Sequence, residues 1–357
     1  MARLAGFRSV RGHGAAVELL RHAVENDRVS SVYLFAGPAG VGKDRLAHAL
    51  AQVLNCRAPR SDGDACGECE MCSKIARAVH PDLIVLQREL KDPPKDSPRD
   101  TVKDREEAER MRTKRREEIP ESELRPNITV EQIEELLARM PFRPHEGATR
   151  WVIFRDAERL LPAAANKLLK TLEEPPKDTH FVLVTARPSA LLPTIRSRCQ
   201  TLRFGLLSAA DVGAVLREGA DELGLDPNHI DALVALGDGS VGRALEFKNQ
   251  EAHKERQAVV DDILNALRAG VPGSYVALGE HVKSIDRHEL DTVLLLLQRH
   301  FRAEAMQNAS AKPRHASANA ARADIVRETQ TLLDGSSNLN AQLVLEAMLV
   351  RLREVRS

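Results

Sequence analysis

An excess of charge of either sign is the first thing this chain lacks. Its 52 Lys and Arg are balanced by 52 Asp and Glu over 357 residues, so the formal net charge is zero. That excludes a chain-wide attraction to nucleic acid or anionic lipid and leaves any such contact to a local patch. Aromatics make up only 3% of residues, with one Trp and two Tyr; Leu and Ala dominate instead, which favours helices. Long apolar runs are also missing. The stretch Val293 to Leu297 falls far short of the roughly 20 residues that cross a bilayer. Met1-Ala2-Arg3-Leu4-Ala5-Gly6 lacks the apolar core of a signal peptide. These absences predict a soluble, cytoplasmic protein, long enough for two or three domains with real cores.

Cysteine is rare but not scattered. Four of the five fall at Cys56, Cys66, Cys69 and Cys72, a C-x9-C-x2-C-x2-C spacing. In a reducing compartment such a cluster reads as a metal site, with a disulfide pair or free thiols as the alternative. Four thiolates close a tetrahedral Zn²⁺ and leave no open position, so the predicted role is structural.

The strongest motif is a phosphate-binding loop with one wrong residue. Gly37-Pro38-Ala39-Gly40-Val41-Gly42-Lys43-Asp44 fits G-x-x-x-x-G-K-[ST] everywhere but its last position. The apolar run Val32 to Ala36 before it reads as a buried strand, and Arg45 to Ala51 after it as a helix, which is the context the motif requires. The glycines would turn backbone N–H groups toward phosphate oxygens, and Lys43 would reach the terminal phosphates. Asp44 replaces the hydroxyl that holds Mg²⁺, which puts a carboxylate where polyphosphate and metal would meet. Hydrolysis is therefore not expected, and nucleotide binding is left open.

A second nucleotide-site feature follows. In P-loop NTPases a later strand ends in an Asp that supports Mg²⁺, commonly followed by a Glu that orients water. The run Trp151 to Phe154 ends in Arg155-Asp156-Ala157-Glu158; counted back from the helix Asn166 to Pro176, Arg155 falls on the metal-binding Asp and Asp156 on the Glu. Both Mg²⁺ positions thus carry the wrong chemistry, and an Asp44–Arg155 ion pair across the metal position would neutralise both.

Apolar runs alternating with helical patterns predict a parallel α/β sheet in the N-terminal part. Its strands are expected at Val32–Ala36, Pro81–Leu86, Trp151–Phe154 and Phe181–Thr185, the third at the centre of the sheet because it has no polar residue. Thr129 is placed to cap a helix with Ile133, Leu136, Leu137 and Met140 on one face, and Pro162 to Glu174 reads as another helix. Residues 207 to about 247 read as a small helical subdomain. From about Gln250 to Ser357 the pattern is helical, with Leu290, Val293, Leu294 and Leu297 forming one stripe. Residues 88–125 hold 12 basic and 12 acidic side chains and read as a surface insertion, disordered or a solvated helix.

Several of these features together resemble bacterial clamp-loader subunits of the AAA+ class: Leu168 to Pro176 (LLKTLEEPP), the Ser197-Arg198-Cys199 tripeptide, the cysteine cluster and the His80-Pro81-Asp82 that follows it. With both metal positions altered, the resemblance is greatest to the delta-prime family of these subunits. The motifs cover residues 1–247; the last third matches only in length and helicity, and the charged insertion departs from the pattern. The resemblance implies a RecA-like AAA+ P-loop module with a zinc knuckle (1–206), a small helical lid (207–249) and an all-α collar that oligomerises (250–357). It implies a stator that does not itself hydrolyse ATP, partnered by gamma/tau and delta subunits in loading a sliding clamp on primed DNA. Arg198 would then be an arginine finger offered to a neighbour's site. Thr185 would sit at a sensor position, and Arg243 lies near a second sensor region, the alternative being a surface Arg at a helix start. The alternative is an ATP-hydrolysing motor subunit of the same machine, which Asp44 and Arg155 argue against.

Overall fold

The computed structural model describes residues 6–89, 124–269, 287–335 and 340–355. The charged insertion expected at 88–125 lies almost wholly outside these. The chain divides into two compact units, one ending at Lys248 and the other beginning at Asn249.

The first unit is built on five parallel strands: β1 (Val32–Ala36), β2 (Leu83–Leu86), β3 (Arg150–Phe154), β4 (Thr179–Thr185) and β5 (Gln200–Arg203). Their order across the sheet is β2-β3-β4-β1-β5. The strand expected at the centre, β3, instead lies one position in from the edge, between β2 and β4. Helices on both faces bury such interior strands as fully as a central one, so an all-apolar run does not distinguish the positions. Polar Gln200, Thr201 and Arg203 mark β5 as the opposite edge, with only Leu202 buried.

Helices α1 (Gly14–Glu25), α2 (Lys43–Asn55) and α3 (Glu70–Ala76) precede β2, and α4 (Val130–Arg139) and α5 (Pro162–Glu173) flank β3. The Thr129 cap is a full capping box: Thr129 N–H donates to Gln132 Oε1 at 3.0 Å while Gln132 N–H donates back to Thr129 Oγ1. Of the predicted apolar face, Ile133, Leu136 and Met140 are buried and Leu137 is half-buried against the same core, with Val152, Phe154, Leu168 and Phe181. Each such large side chain contributes about 1.5–3 kcal/mol by leaving water.

A short α6 (Pro193–Arg196) leads into β5, after which come α7 (Ala209–Glu218), α8 (Ala220–Leu223), α9 (Ile230–Gly237) and α10 (Val241–Glu246). The second unit is helical throughout its described residues: α11 (Gln250–Ala269), α12 (Arg287–Asn308), α13 (Pro313–Gly335) and α14 (Ala341–Glu354). The predicted stripe Leu290, Val293, Leu294 and Leu297 is buried at 2% exposure or less, in a helix packed chiefly on α13. No described helix is long and apolar enough to cross a membrane.

Candidate functional site

The loop from Gly37 to Gly42 joins β1 to α2 at the carboxyl end of the sheet, as the motif requires. The residues around it hold it to the chain itself. Lys43 is 5% exposed, and its ammonium turns back to donate to Gly37 O at 2.7 Å and to Pro38 O. Burial pulls its pKa down to about 8, against the opposing pull of the Glu158, Asp156 and Asp44 carboxylates. Three carboxylates thus lie near enough to favour the charged lysine against its burial.

The pair expected across the metal position is present. Arg155 Nε and Nη2 donate to the two Asp44 oxygens at 2.9 and 2.8 Å, a bidentate fork, while Nη1 reaches Gln87 Oε1 at 3.1 Å. Burial alone would raise the Asp44 pKa, but His48, Arg155 and Lys43 hold it below the ordinary carboxylate value. An arginine therefore stands against the carboxylate where a P-loop hydroxyl and Mg²⁺ would meet. Asp156 is turned to a left-handed backbone (φ 49°) and accepts from Arg88 at 3.3 Å.

The helices after the sheet close the other side of the loop. Gly40 has φ +70°, and a side chain there would lie 2.5 Å from Ser240 Oγ. Gly242 N–H donates to Gly40 O at 3.0 Å, and Ser240 Oγ donates to Ala39 O at 2.9 Å while capping α10. His13 Nε2 meets Val41 O at 2.8 Å. Ser240, Gly242 and His13 carry no phosphate-binding signature, so the motif gave no hint of them; only the pairing of two glycines 202 positions apart marks the contact.

Thr185, at the tip of β4, is 1% exposed, and its Oγ1 accepts from Arg187 N–H at 3.0 Å. Arg243 contributes its N–H to the Ser240 cap. Arg198 lies just beyond α6; it is ion-paired with Glu173 at the end of α5, donates to Thr194 O at 2.7 Å, and is 28% exposed at its side chain. Its buried Nε has no hydrogen-bond partner among the described residues. Cys199 beside it donates to Ile195 O at 3.1 Å, and burial pushes its thiol up to about 12.

The sulfurs of Cys56, Cys66, Cys69 and Cys72 all lie within 4.8 Å of one another, and the five cysteines of the chain are unpaired by disulfides. Cys56 and Cys69 sulfurs are 4.0 Å apart, and Cys66 and Cys72 sulfurs 3.9 Å. A tetrahedral ion with bonds of about 2.3 Å needs sulfurs about 3.8 Å apart, so the donor set fits a metal ion. Backbone N–H groups of Cys66 and Cys69 point at Cys56 and Cys66 sulfurs at 3.3 and 3.2 Å. Burial opposes ionisation of Cys69, but N–H donors and the neighbouring thiols bring it down to about 6.

Two carboxylates, Asp64, which sequence reasoning missed, and Asp82, which it named in a motif without a role, tie this region into the fold. Asp64 is fully buried and accepts from the N–H groups of Phe7, Arg8 and Ala65, which fastens the N-terminal turn to the cluster. Asp82, of the His80-Pro81-Asp82 motif, accepts from the N–H groups of His145, Glu146 and Gly147 at 2.6 to 2.9 Å. His80 meets Met71 Sδ on α3. Carboxylates satisfied by backbone leave no periodic signal; a polar residue beside a motif is the only clue.

A strand–glycine loop–helix at the carboxyl end of a five-stranded parallel sheet, followed by a small helical group, makes this a P-loop module of the AAA+ type. The family described as DNA polymerase III, delta subunit matches residues 12–208, more than half of the chain, and the chain belongs to that family. Its relatives include DNA polymerase III subunit delta' of Pseudomonas aeruginosa, 33% identical over 69% of this chain and 64% of the relative. The delta' subunit of Bacillus subtilis is 29% identical over 70% and 64%, and the tau subunit of the same organism 27% identical over 68% and 37%. The chain thus spans just under two thirds of the first two relatives. Among solved structures, a gamma subunit-related protein of Thermotoga maritima aligns over 95% of this chain and 98% of its own, at 16% identity and a TM-score of 0.42.

Proposed function

We propose that this chain is a delta-prime-like stator of a bacterial clamp loader: a subunit that joins gamma/tau and delta subunits, assists ATP-dependent loading of a sliding clamp on primed DNA, and does not itself hydrolyse ATP. The observation that carries this reading is the bidentate Asp44–Arg155 pair at the metal position. With Lys43 turned onto its own loop, the geometry supports neither a Mg²⁺–phosphate contact nor an oriented water. Such a role needs no complete NTPase site of its own; one well-placed donor suffices.

Arg198 is that donor in this reading. Its partners in the isolated chain, Glu173 and Thr194 O, occupy two of the five guanidinium donors. A neighbour's γ-phosphate would take the remaining Nη–H donors, Nε being buried, and stabilise charge on the transferring group. Residues 207–249 act as the lid and 250–357 as the collar that binds the neighbouring subunits. The cysteine cluster holds one structural Zn²⁺, for which four thiolates with no open position are suited. The setting is the cytoplasm.

The test is reconstitution. The chain is expected to co-purify with gamma/tau and delta subunits of its own organism, to be required for clamp loading on primed DNA, and to show no ATP turnover alone. Failure to enter the complex would overturn the reading, as would turnover by the isolated chain that Lys43→Ala abolishes.

A further inference from the structure

At the opposite end of the sheet from the phosphate loop, where β2 and β3 begin, a cleft of about 440 Å³ opens between the residues after α3 and the 140–147 segment. Two large apolar side chains stand on its rim in solvent, Val79 at 63% exposure and Phe142 at 71%. Pro81 and Ile84 continue the apolar wall. Exposed rims of this kind cannot enclose a small molecule, which needs most of its surface buried. They suit the side of an extended chain.

The segment carrying Phe142 is held with unusual firmness for an exposed loop. Asp82, 2% exposed, grips the N–H groups of His145, Glu146 and Gly147. Arg150, 5% exposed, grips the Arg139 and Arg143 carbonyls from the other side, at 3.1 and 2.9 Å. Two buried charges therefore fix a loop whose tip is an exposed phenylalanine. Such pre-ordering lowers the entropy cost of binding, and an exposed aromatic on a rigid support is the usual anchor of a protein interface.

The charges decide the kind of partner. The cleft's carboxylates are already neutralised, Asp82 by three N–H groups and Glu146 by Lys74 at 2.7 Å. The exposed guanidinium groups of Arg139 and Arg143, on either side of Phe142, have no ion-pair partner among the described residues. An apolar wall between two uncompensated cations fits a chain of the opposite pattern.

We propose that this cleft is a docking site for an acidic protein segment that inserts one apolar side chain between Val79 and Phe142 and pairs its carboxylates with Arg139 and Arg143. The site is separate from the phosphate loop and does not depend on the function proposed above. Phe142 is the one aromatic ring in an apolar lining otherwise of Val79, Pro81 and Ile84, so the cleft lacks the succession of stacking platforms that single-stranded bases use, which favours a peptide.

The probe is a phage-displayed library of random 12-residue peptides, selected on the immobilised full chain and counter-selected on Phe142→Ser. Enriched peptides are expected to carry Asp or Glu flanking Leu, Phe or Trp. Their dissociation constants, read by fluorescence anisotropy, should rise at least tenfold for Phe142→Ser and for the double substitution Arg139→Glu with Arg143→Glu. Both variants should keep the far-UV spectrum and metal content of the parent; if Phe142→Ser does not fold, the double substitution alone carries the test. No enrichment, a consensus without acidic residues, or binding indifferent to the substitutions would overturn the proposal. So would displacement of the peptides by a 15-nucleotide oligo-dT, which would make the surface a nucleic-acid site.

Discussion

Replacing Gly242 by Ala probes the closure of the phosphate loop by the helices that follow the sheet. A Cβ on Gly242 would lie 2.7 Å from the Gly40 Cα. The obstructing atom is backbone, so no rotamer change relieves the overlap, and the two segments must separate by several tenths of an ångström or more. Separation weakens the Gly242 N–H···O Gly40 bond and the Ser240 Oγ–H···O Ala39 bond, each contributing about 1 kcal/mol. Overpacking adds about 1–3 kcal/mol, and against this Ala in place of Gly within α10 returns about 1 kcal/mol of helix propensity. The net expectation is a loss of about 1–3 kcal/mol, read from urea unfolding, with faster amide exchange across residues 239–246. Gly14→Ala is the matched control: it also lies in a helix, but its Cβ would meet nothing within 4 Å. If Gly242→Ala were as stable as Gly14→Ala, with unchanged exchange, the close contact between Gly40 and Gly242 would not hold the loop.

Three further outcomes are expected. Asp44→Asn and Arg155→Met, alone and together, should show a coupling of about 1–2 kcal/mol in urea unfolding. The pair is 36% and 23% exposed, so it stands between exposed pairs at about 0.2–1 kcal/mol and buried ones at about 3–5; a coupling near zero would mean that the fork is not formed in solution. Elemental analysis should find one metal ion per chain, and Cys69→Ser should lose it and increase amide exchange in the Phe7–Ser9 turn that Asp64 holds, while the helices of the second unit keep their protection. Asp82→Asn should cost about 2–3 kcal/mol at pH 7, the scale of hydrogen bonds to a charged group. Its N–H partners hold the Asp82 carboxyl below its ordinary value against the effect of burial, so its contribution is complete above about pH 4 and lost as pH falls through the folded-state value. The stability gap between parent and variant should close in acid; a gap independent of pH would contradict the role assigned to the charge.

The parts of the site that follow from spacing were legible in the sequence. A phosphate loop has a fixed length, so Asp44 was visibly out of place. Counting back from the Asn166 to Pro176 helix put Arg155 at the metal position; opposite charge suggested a pair with Asp44, and its geometry came only from the structure. The cysteine cluster was legible for the same reason. The position of β3 in the sheet was not, since burial of both faces is common to every interior strand. β5 escaped notice because Gln200, Thr201 and Arg203 give an edge strand no apolar run. Contacts between distant segments were the least legible. Nothing local in Gly40 or Gly242 says that they meet, and Asp64 and Asp82 bond to backbone groups that carry no side-chain signature.

The central claim is that this chain contributes its arginine, and not its own phosphate loop, to ATP hydrolysis in a clamp loader. The most direct measurement is the DNA- and clamp-stimulated ATPase of the reconstituted complex carrying Lys43→Ala or Arg198→Ala in this subunit, with assembly and metal content checked for each. Lys43→Ala is expected to leave the rate unchanged. Arg198→Ala should lower it, since a finger supplied in trans contributes on the order of 10³-fold or more at a single site, diluted in bulk by the other motor sites. Arg198→Lys should restore little, because an ammonium lacks the planar fork, and Arg196→Ala should behave as the parent. A rate that fell with Lys43→Ala and held with Arg198→Ala would contradict the account.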